Sequence, residues 1–588
     1  MSAAPRGLRR LCAISVAAVL PVLLLAPAAD AAPRSRPHQP KEVAVRLISF
    51  NDLHGNLRPP AGSSGRVTLT DAVPATPTSP AVPATTADAG GVAYLATHVR
   101  RLEDAADHSI LLTTGDNIGA SPLDSALFHD EPTIDVLNQL GVQASVVGNH
   151  EFDEGYAELK RIQLGGCGAA GTCDFDPDFE GADFPYLGAN VTRTNGLPAL
   201  APFTVEVRGG QPVGIIGVTL ENLPDVVVPT AVQGLRFGDE VQAVDRSSRL
   251  LQRLGVKAQV VLVHQGDETT GTGGPNACSL VPGVAAPATD IARRVSANVD
   301  AVFAAHTHQA ENCTVTDPAG HPRPLIQGLS FGRLLSVVDL RINTRSHDVD
   351  RAATRAENEV VTRTVTPDPA VSAIVDRAVT ESAPLADRRV GTITADITRA
   401  ASPAGEQPLG DVIADAQLAA TTDAGAQIAL TNPGGIRTDL TYAPSPAGEG
   451  AGVVTYGEAF AVQPFANIMQ TITLTGAQLD AVLEQQWQAG GVVRTLQISD
   501  TLHYTQSQGA PVGAKVSDIT VAGQPVSPTA TYRVSVNNFL AAGGDGFTGF
   551  TAGTDLTGGP IDLDAFTAYL TAHQDLAPPA LDRITLVP

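Results

Sequence analysis

Basic side chains are scarce in this chain of 588 residues, in which 38 Lys and Arg face 61 Asp and Glu, a formal net charge of −23. A partner made mainly of nucleic-acid backbone needs a Lys or Arg at each phosphate contact, so this balance argues against one. It does not exclude a small anionic substrate, because bound metal ions can invert the local sign of the charge. With 43% apolar and only 17% charged residues the composition is globular, and the length predicts about two to four domains.

Long apolar runs are also scarce, and the one that occurs spans residues 11–26. Three Arg between positions 6 and 10 precede it, and a small-x-small sequence ending at Ala31 follows it. This pattern predicts a secretory signal peptide over 1–31. A transmembrane anchor is the alternative, but the run is short for one and small residues follow it. We therefore predict a protein that is secreted or extracellular after cleavage near Ala31, without a stable membrane anchor.

Cysteine is rare as well, with five in the chain, and Cys12 falls within the predicted signal peptide. The remaining four are an even number in an exported chain, which suggests disulfides. We predict that Cys167 pairs with Cys173 around a short Gly-rich loop. We predict that Cys278 pairs with Cys313, close to the candidate metal ligands that are described below. A cysteine-based zinc site is disfavoured because no C-x-x-C spacing occurs.

What the sequence does contain is a series of short apolar runs that each end in a polar motif. Such continuous runs predict strands buried on both faces, with helices between them. Functional residues at the carboxyl ends of strands are the usual arrangement in open α/β sheets. The runs are residues 43–50, 110–112, 144–147, 260–263 and 301–304.

Composition changes mark the boundaries between the predicted parts. The metal-binding part is predicted over 42–350, interrupted by a disordered surface insertion at 59–89, which is rich in Ala, Pro, Thr and Ser. Residues 366–388 begin Pro-Asp-Pro-Ala and place apolar residues on one helical face, which predicts a helical connector. A second domain of mixed α and β character is predicted over 389–588.

The polar motifs at the ends of the runs carry candidate metal ligands on five loops. Imidazoles combined with carboxylates suit zinc, manganese or a similar divalent ion, and a carboxylate can bridge two such ions about 3.5–4 Å apart. Each motif alone is weak evidence, because a Gly-Asp is usually a turn and a single His is usually solvated or capped. Five compatible motifs in order, each after a predicted strand, favour a two-metal site. The candidate ligands are Asp52, His54, Asp116, Asn149, His264, His306 and His308.

Taken together, the motifs resemble those of the calcineurin-like metallophosphoesterases, and in particular the secreted 5′-nucleotidase and UDP-sugar hydrolase family. They are Asp-Leu-His-Gly at 52–55, Gly-Asp-Asn at 115–117, Gly-Asn-His-Glu-Phe-Asp at 148–153, His-Gln-Gly at 264–266 and His-Thr-His at 306–308. The resemblance implies an α/β protein with a four-layer α/β/β/α metallophosphoesterase domain, a helical connector and a C-terminal α/β nucleotide-binding domain. It also implies that a hinge rotation moves the second domain, which we place in the connector.

The resemblance further implies two ligand sets and a catalytic pair. One metal would take Asp52, His54, Asp116 and His308, and the other would take Asp116, Asn149, His264 and His306. His150 would donate to the phosphoryl oxygen or the leaving group, with Asp153 fixing its tautomer, although Asp153 could instead cap a following helix. One departure is Ala305, which stands where the family usually has Gly and which is tolerable if its φ is negative.

The second domain offers residues that could hold a nucleoside. Phe465 and Phe539 could stack a planar base between them, although each alone could be a core residue. Asp545 can accept hydrogen bonds from ribose hydroxyls, and Arg437 can bind a carboxylate or phosphate. The resemblance assigns the same roles and adds three further residues around the nucleoside: Asn432, Gly435 and Asn467.

A second departure concerns a basic contact to the substrate. Family members often carry an Arg three residues before the position of Glu406, and this chain has Pro403 there, with Arg399 as a candidate substitute.

The predicted function is that of an exported phosphohydrolase with two divalent metal ions, zinc or manganese. It would release phosphate from nucleoside 5′-phosphates by attack of a metal-bridging hydroxide. The same site could serve a UDP-sugar pyrophosphate or a 2′,3′-cyclic nucleotide. A nucleotide-binding surface protein without turnover is disfavoured, because the ligands and the catalytic pair are all present.

Overall fold

The computed structural model describes residues 41–588, apart from 61, 74–80, 169–172, 228, 445–447 and 489–490. The predicted signal peptide, and its transmembrane alternative, lie outside the described residues. Among the residues that are described, no helix has the length and apolar character needed to cross a lipid bilayer.

Two six-stranded sheets lie at the centre of the first half of the described chain. Their central strands run parallel and their outer strands include antiparallel pairs. The first sheet has the spatial order Arg355–Val360, Leu334–Asn343, Glu42–Phe50, Ser109–Thr113, Ala144–Val146 and Tyr186–Leu187. The second has the order Glu311–Thr316, Pro322–Gln327, Ala301–Phe303, Ala258–His264, Gln211–Thr219 and Phe203–Arg208.

The two sheets pack face to face, and helices cover the outer face of each. Leu47 and Ile110 of the first sheet share one buried cluster with Ile215 and Val260 of the second. Full burial of such a side chain contributes about 1.5–3 kcal/mol. Because the strands are buried on both faces, the predicted four-layer α/β/β/α arrangement is confirmed. The helices of this half are Val92–Asp104, Leu123–Ala126, Glu131–Leu140, Tyr156–Leu164, Glu240–Arg253 and Pro287–Arg294.

A long helix, Pro369–Ala386, occupies the residues for which the sequence predicts a connector. Asp368 caps its first turn by accepting hydrogen bonds from the amides of Ala370 at 2.9 Å and Val371 at 3.1 Å. Val371 and Ala378 are fully buried in the same apolar cluster as the helices on the first sheet. The helix therefore packs as part of the first half, and the chain leaves it at Asp387.

The second half mixes helices and strands, as predicted, and its two larger sheets contain both parallel and antiparallel pairs. Two of its helices begin at capping boxes, Thr455 with Glu458 and Thr475 with Gln478. Its helices are Pro408–Thr421, Tyr456–Val462, Gly476–Glu484, Asn538–Ala541 and Asp562–Ala572. One sheet has the order Gln497–Ile498, Ile428–Thr431, Thr531–Asn537, Ile468–Thr475 and Thr554–Ile561. Another has the order Gln524–Pro525, Val516–Val521, Leu502–Ser507 and Ile584–Val587, and Arg389–Thr392 pairs with Val453–Thr455.

The interpretation of 59–89 as a disordered insertion is wrong for much of this segment. Strands Arg66–Thr70 and Thr85–Asp88 form an antiparallel hairpin. Val67, at the base of this hairpin, is buried against Ala89 and Leu334. Paired main chains and one anchoring apolar residue order a stretch whose composition is poor in large side chains. Residues 61 and 74–80 of the segment lie outside the described residues.

Both predicted disulfides are confirmed. Cys167 is bonded to Cys173 with their Cα atoms 4.4 Å apart, and Cys278 is bonded to Cys313 with their Cα atoms 4.9 Å apart. The second disulfide joins the loop that follows His264 to the strand that follows the His306–His308 motif, so it restrains two of the candidate ligand loops.

A buried carboxyl lies next to this disulfide, on the strand Glu311–Thr316. Glu311 has no exposed surface, and its Oε1 has no hydrogen-bond partner among the described residues. Burial, assisted by the charge of Asp267, raises the pKa of Glu311 to about 8. The folded state therefore holds a proton that the unfolded chain releases near pH 4.5.

We expect Glu311→Gln to remove a pH dependence of stability. In the parent protein, the free energy of unfolding should fall by up to about 1.4 kcal/mol per pH unit as the pH rises from about 4.5 to about 8. The neutral amide cannot ionise, so the variant should be more stable than the parent at pH 8.5 and similar at pH 5. Urea unfolding at both pH values measures this, with the exposed Glu357→Gln as the matched control. Equal pH slopes for parent and Glu311→Gln would contradict the assignment.

Candidate functional site

The seven candidate metal ligands converge at the carboxyl ends of five strands in the first half of the chain. Asp52, His54, Asp116, Asn149 and His264 are buried, whereas His306 and His308 are partly exposed. The strands that precede them are Glu42–Phe50, Ser109–Thr113, Ala144–Val146, Ala258–His264 and Ala301–Phe303. Adjacent sheets that end at the same edge explain why ligands from distant sequence positions meet here.

The ligand atoms form two groups that share one aspartate. On one side, Nε2 of His308 lies 3.1 Å from Nε2 of His54 and 3.6 Å from Oδ1 of Asp52. On the other, Nε2 of His264 lies 3.1 Å from Oδ2 of Asp116, and His306 belongs to the same group. Oδ2 of Asp116 is also 3.8 Å from Nε2 of His54, so its carboxylate lies between the two groups. This is the position of a bridging ligand.

Hydrogen bonds aim two of the imidazoles at the centre. Nδ1 of His54 donates to the carbonyl of Gly119 at 2.8 Å, and Nδ1 of His264 donates to the carbonyl of Thr114 at 2.8 Å. A donating Nδ1 leaves the lone pair of Nε2 facing inward, which is the tautomer that a metal-ligating His requires. Burial lowers the pKa of His54 and His308 well below the usual value, so both rings are neutral and able to bind a cation.

Two ligand atoms lack any other partner, and this tests whether the site fits a metal. Oδ1 of Asn149 and Nε2 of His264 are buried and have no hydrogen bond among the residues that the structure describes, although Oδ2 of Asp116, another candidate ligand atom, lies 3.1 Å from Nε2 of His264. A buried polar atom without a partner costs about 1–3 kcal/mol, so such atoms in a native protein need an explanation. A divalent cation held by nitrogen and oxygen donors would satisfy both atoms. The residues present therefore fit the metals that the motifs predict.

Backbone strain is concentrated at the same residues. Five candidate ligands have positive φ, a conformation that costs a non-glycine residue about 1–3 kcal/mol and that clusters at functional sites. They are Asp52 at 50°, His54 at 47°, Asp116 at 49°, His306 at 77° and His308 at 58°. Ala305 does not share this conformation, so its methyl group is accommodated where the family usually has Gly. A Cβ on Gly148, by contrast, would lie 2.1 Å from Oδ1 of Asp116.

His150 and Asp153 form the predicted pair. Nδ1 of His150 is 2.8 Å from Oδ2 of Asp153, and the amide of His150 donates to Oδ1 of Asp116 at 2.9 Å. Burial disfavours the charged imidazole, but the carboxylates of Asp153 and Asp116 outweigh it and raise the pKa of His150. The helix that follows, Tyr156–Leu164, has Gly155 as its N-cap residue and no side-chain cap, so Asp153 is not its capping residue.

Glu151 is a positioning residue that the sequence reasoning missed. Its buried carboxylate accepts hydrogen bonds from the amides of Asp116 and Asn117, both at 2.9 Å, and of Gly148 at 2.6 Å. It therefore fixes the loops that carry two candidate ligands, Asp116 and Asn149. The signal in the sequence was its place directly after the candidate catalytic His150, inside a motif that also contains Asn149 and Asp153.

One cavity of about 510 Å³ brings the predicted substrate residues to the metal-ligand cluster. It is lined by residues of both halves of the chain, including His150 and Asp153. Phe465 lies on its wall and stacks on His150, with ring centroids 5.5 Å apart and an angle of 21° between the planes. The seven predicted substrate-binding residues all line this cavity: Asn432, Gly435, Arg437, Phe465, Asn467, Phe539 and Asp545.

The polar side chains of the cavity differ in how many hydrogen bonds they already make within the protein. Nδ2 of Asn432 donates to Oδ2 of Asp545 at 2.7 Å, which presents both side chains to the cavity. Nδ2 of Asn467 donates to buried Asp562 at 3.1 Å, so one of its two N–H donors is already used. Arg494 was missed by the sequence reasoning and lies 3.6 Å from Oδ1 of Asp545. No sequence motif marked it.

Arg437 and Arg399 approach the ligand cluster from the second half of the chain. Nη2 of Arg437 lies 3.4 Å from Nε2 of His54. Arg399 pairs with Asp439 at 3.0 Å and donates to the carbonyl of Arg437 at 2.8 Å. The candidate substitute for the missing family Arg is thus in contact with the predicted anion-binding Arg.

Comparison with known proteins gives two family matches. Residues 45–310 match the calcineurin-like phosphoesterase model, and residues 389–552 match that of the 5′-nucleotidase C-terminal domain. The endonuclease YhcR of Bacillus subtilis is 30% identical over 558 residues, which cover 92% of this chain and 41% of that relative. A cell wall protein of Listeria monocytogenes is 31% identical over 558 residues, which cover 90% of this chain and 67% of that relative. This chain therefore spans less than half of the first of these relatives.

The arrangement of both halves also matches a solved structure. The crystal structure of a 5′-nucleotidase precursor from Thermus thermophilus superposes with a TM-score of 0.73 at 25% sequence identity. The superposition covers 92% of this chain and 99% of the other.

Proposed function

Because this chain belongs to the 5′-nucleotidase family of calcineurin-like metallophosphoesterases and is a metal-dependent phosphoester hydrolase, we propose that its substrates are nucleoside 5′-phosphates. One observation carries the proposal. A single cavity joins the catalytic pair and the metal-ligand cluster to two aromatic rings and a set of hydrogen-bonding side chains on the second half. An enzyme that hydrolyses phosphoesters of any structure would not need the aromatic rings and hydrogen-bonding side chains of the second half.

Each part of a nucleotide has a matching group in the cavity. Phe465 and Phe539 offer aromatic faces for a base, a contact worth about 1–3 kcal/mol per base. Asp545 can accept hydrogen bonds from ribose hydroxyls, and Arg437 can donate to the phosphate. The phosphoryl group would then lie against Asp116 and His150.

The catalytic work divides between the metals and the pair formed by His150 and Asp153. When bound, two divalent ions, zinc or manganese, would activate a water molecule and neutralise the phosphoryl oxygens. Asp52, His54, Asp116 and His308 would hold one, and Asp116, Asn149, His264 and His306 the other. Asp153 holds Nδ1 of His150, so Nε2 is the atom that can donate a proton to the leaving oxygen.

We further propose that the protein acts outside the cell. The two disulfides are typical of oxidising compartments, and one of the relatives is a cell wall protein. The predicted signal peptide agrees with this proposal.

The test is phosphate release from AMP by the purified protein, with added Mn²⁺ or Zn²⁺ and again after chelation. We expect turnover with metal, loss of turnover in excess chelator, and recovery when the metal is restored. The rate of hydrolysis of AMP is then compared with the rates for a UDP-sugar, a 2′,3′-cyclic nucleotide and p-nitrophenyl phosphate. Turnover that is unaffected by chelator, or a clear preference for a non-nucleotide ester, would contradict the proposal.

A substitution of Phe539 tests the proposed stacking of the base. Phe539→Ala should lower kcat/KM for AMP about tenfold or more, because a stacking contact is lost. The same variant should leave p-nitrophenyl phosphate hydrolysis close to that of the parent, which serves as the internal control. Equal losses on both substrates would show that Phe539 supports the fold instead.

A further inference from the structure

The loop that carries His306 and His308 serves both groups of candidate metal ligands. His306 lies with the donors of one group, and His308 lies with the donors of the other. A single residue, Thr307, separates them along the chain. A shift of this loop would therefore displace one donor from each group at the same time, so the contacts that fix the loop matter for both metals.

The main chain of this loop adopts a conformation that its own residues do not favour. His306 has a φ of 77° and His308 has a φ of 58°, both in the left-handed region. Thr307, between them, does not share this conformation. Non-glycine residues keep a left-handed conformation only where the surrounding structure imposes it. Contacts with neighbouring elements must therefore hold the loop.

The hydroxyl of Thr307 makes two such contacts. It donates to the carbonyl of Asp267 at 3.0 Å, and it accepts a hydrogen bond from Nε2 of Gln327 at 3.0 Å. Asp267 belongs to the loop that follows His264, and Gln327 ends the strand Pro322–Gln327. One hydroxyl thus ties the loop to a second candidate ligand loop and to an adjacent strand of the sheet.

Both partners of this hydroxyl are themselves fixed. The buried carboxylate of Asp267 accepts a hydrogen bond from the amide of Ala288 at 2.8 Å, at the start of the helix Pro287–Arg294. Gln327 is fully buried, and its carbonyl accepts a hydrogen bond from Nδ2 of Asn358 at 2.8 Å. The hydroxyl is therefore anchored to parts of the fold that have little freedom to move.

The space around the hydroxyl is also tightly filled. A Cβ on Gly266, the last residue of the His-Gln-Gly motif, would lie 2.4 Å from Oγ1 of Thr307 and 2.6 Å from Oε1 of Gln327. Oε1 of Gln327 has no hydrogen bond among the residues that the structure describes, so Nε2 is the atom that links this side chain to the loop. The glycine allows the two loops to approach closely enough for the hydroxyl to join them.

We propose that Thr307 is a positioning residue for both metals, and that Gln327 supports it. Its hydroxyl would set the positions of His306 and His308 together, although it is not itself a candidate ligand. The proposal rests on the proposed function, because it concerns the metals which that function requires. It differs from the role of Glu151, which fixes the loops of Asp116 and Asn149.

The test measures metal binding without substrate, by calorimetric titration of Zn²⁺ into the metal-free protein. Residues that orient metal ligands from outside the coordination shell typically contribute about 10–100-fold to metal affinity, so both binding events should weaken by about that factor in Thr307→Val. Thr307→Ser keeps the hydroxyl and should bind Zn²⁺ about as tightly as the parent. The matched control is Thr314→Val, which makes the same change at an exposed position of the strand Glu311–Thr316.

A second pair of variants tests whether Gln327 acts through the same hydroxyl. Gln327→Met removes the donor and keeps the length of the side chain, so it should weaken both binding events by a smaller factor than Thr307→Val. Residues that act through one hydrogen bond have effects that do not add. The double variant should therefore bind Zn²⁺ no more weakly than Thr307→Val alone.

The outcomes separate this proposal from the proposed function. Parent-like affinity in Thr307→Val, weakening of only one binding event, or an equal loss in Thr307→Ser would overturn the role of Thr307. A parent that binds two Zn²⁺ but does not hydrolyse AMP would contradict the proposed function alone. If circular dichroism in chelator shows that Thr307→Val does not fold, Gln327→Met decides, and parent-like affinity of that variant overturns the proposal.

Discussion

Asp116→Asn should abolish phosphate release from AMP and leave the protein with less than its full metal content. The carboxylate of Asp116 lies between the two groups of candidate ligands, so its loss removes a donor from each. An amide can supply one neutral oxygen but cannot bridge two cations as a carboxylate does. Metal ions supply several kcal/mol of transition-state stabilisation, so we expect kcat to fall about a thousandfold or more.

Two measurements check this prediction independently. Steady-state kinetics give the loss of turnover, and elemental analysis of the desalted protein gives the metal content per chain. Asp376→Asn, which removes an exposed carboxylate from the helix Pro369–Ala386, is the matched control and should change neither quantity. Retention of both turnover and metal content in Asp116→Asn would refute the bridging role.

His150→Gln should lower kcat for AMP by about 10²–10⁴ without lowering the metal content. The imidazole has Asp153 on Nδ1 and is not among the predicted ligands, so its removal leaves the donor set intact. The nucleoside leaves AMP as a poor leaving group that needs a proton, whereas p-nitrophenolate leaves readily without one. The deficit of His150→Gln should therefore be much smaller on p-nitrophenyl phosphate than on AMP.

The comparison of leaving groups distinguishes proton donation from a structural role. Asp153→Asn should show the same dependence on the leaving group at a smaller amplitude, because His150 remains but its tautomer and charge are less well supported. Equal deficits on both substrates for His150→Gln would instead indicate that the ring only supports Phe465, on which it stacks.

The parts of the fold that could be inferred from the sequence are the strands whose burial shows in a local pattern of apolar residues. Apolar runs such as residues 260–263 are continuous because their strands are covered on both faces, and the pattern of burial confirms this. The hairpin of Arg66–Thr70 with Thr85–Asp88 could not be inferred in the same way. The hairpin is ordered by main-chain pairing and by Val67, which packs on a distant strand. Neither feature can be detected in the amino-acid composition.

The candidate ligands were identifiable because their chemistry is rare and their order along the chain is distinctive. Arg494 was not identifiable, since an Arg on a loop looks ordinary without its neighbours. Whether an acidic or basic residue faces solvent or a cavity depends on contacts between segments hundreds of residues apart.

The sequence by itself determined the residue types of the candidate metal site and the disulfide partners. It could do so because ligand chemistry and strand burial are local properties. Only the tertiary structure decided that Asp116 lies between the two ligand groups, that Phe465 stacks on His150, and that Arg437 lies 3.4 Å from His54. These are contacts between distant segments, and they arise because the two halves of the chain close over one edge of the sheets.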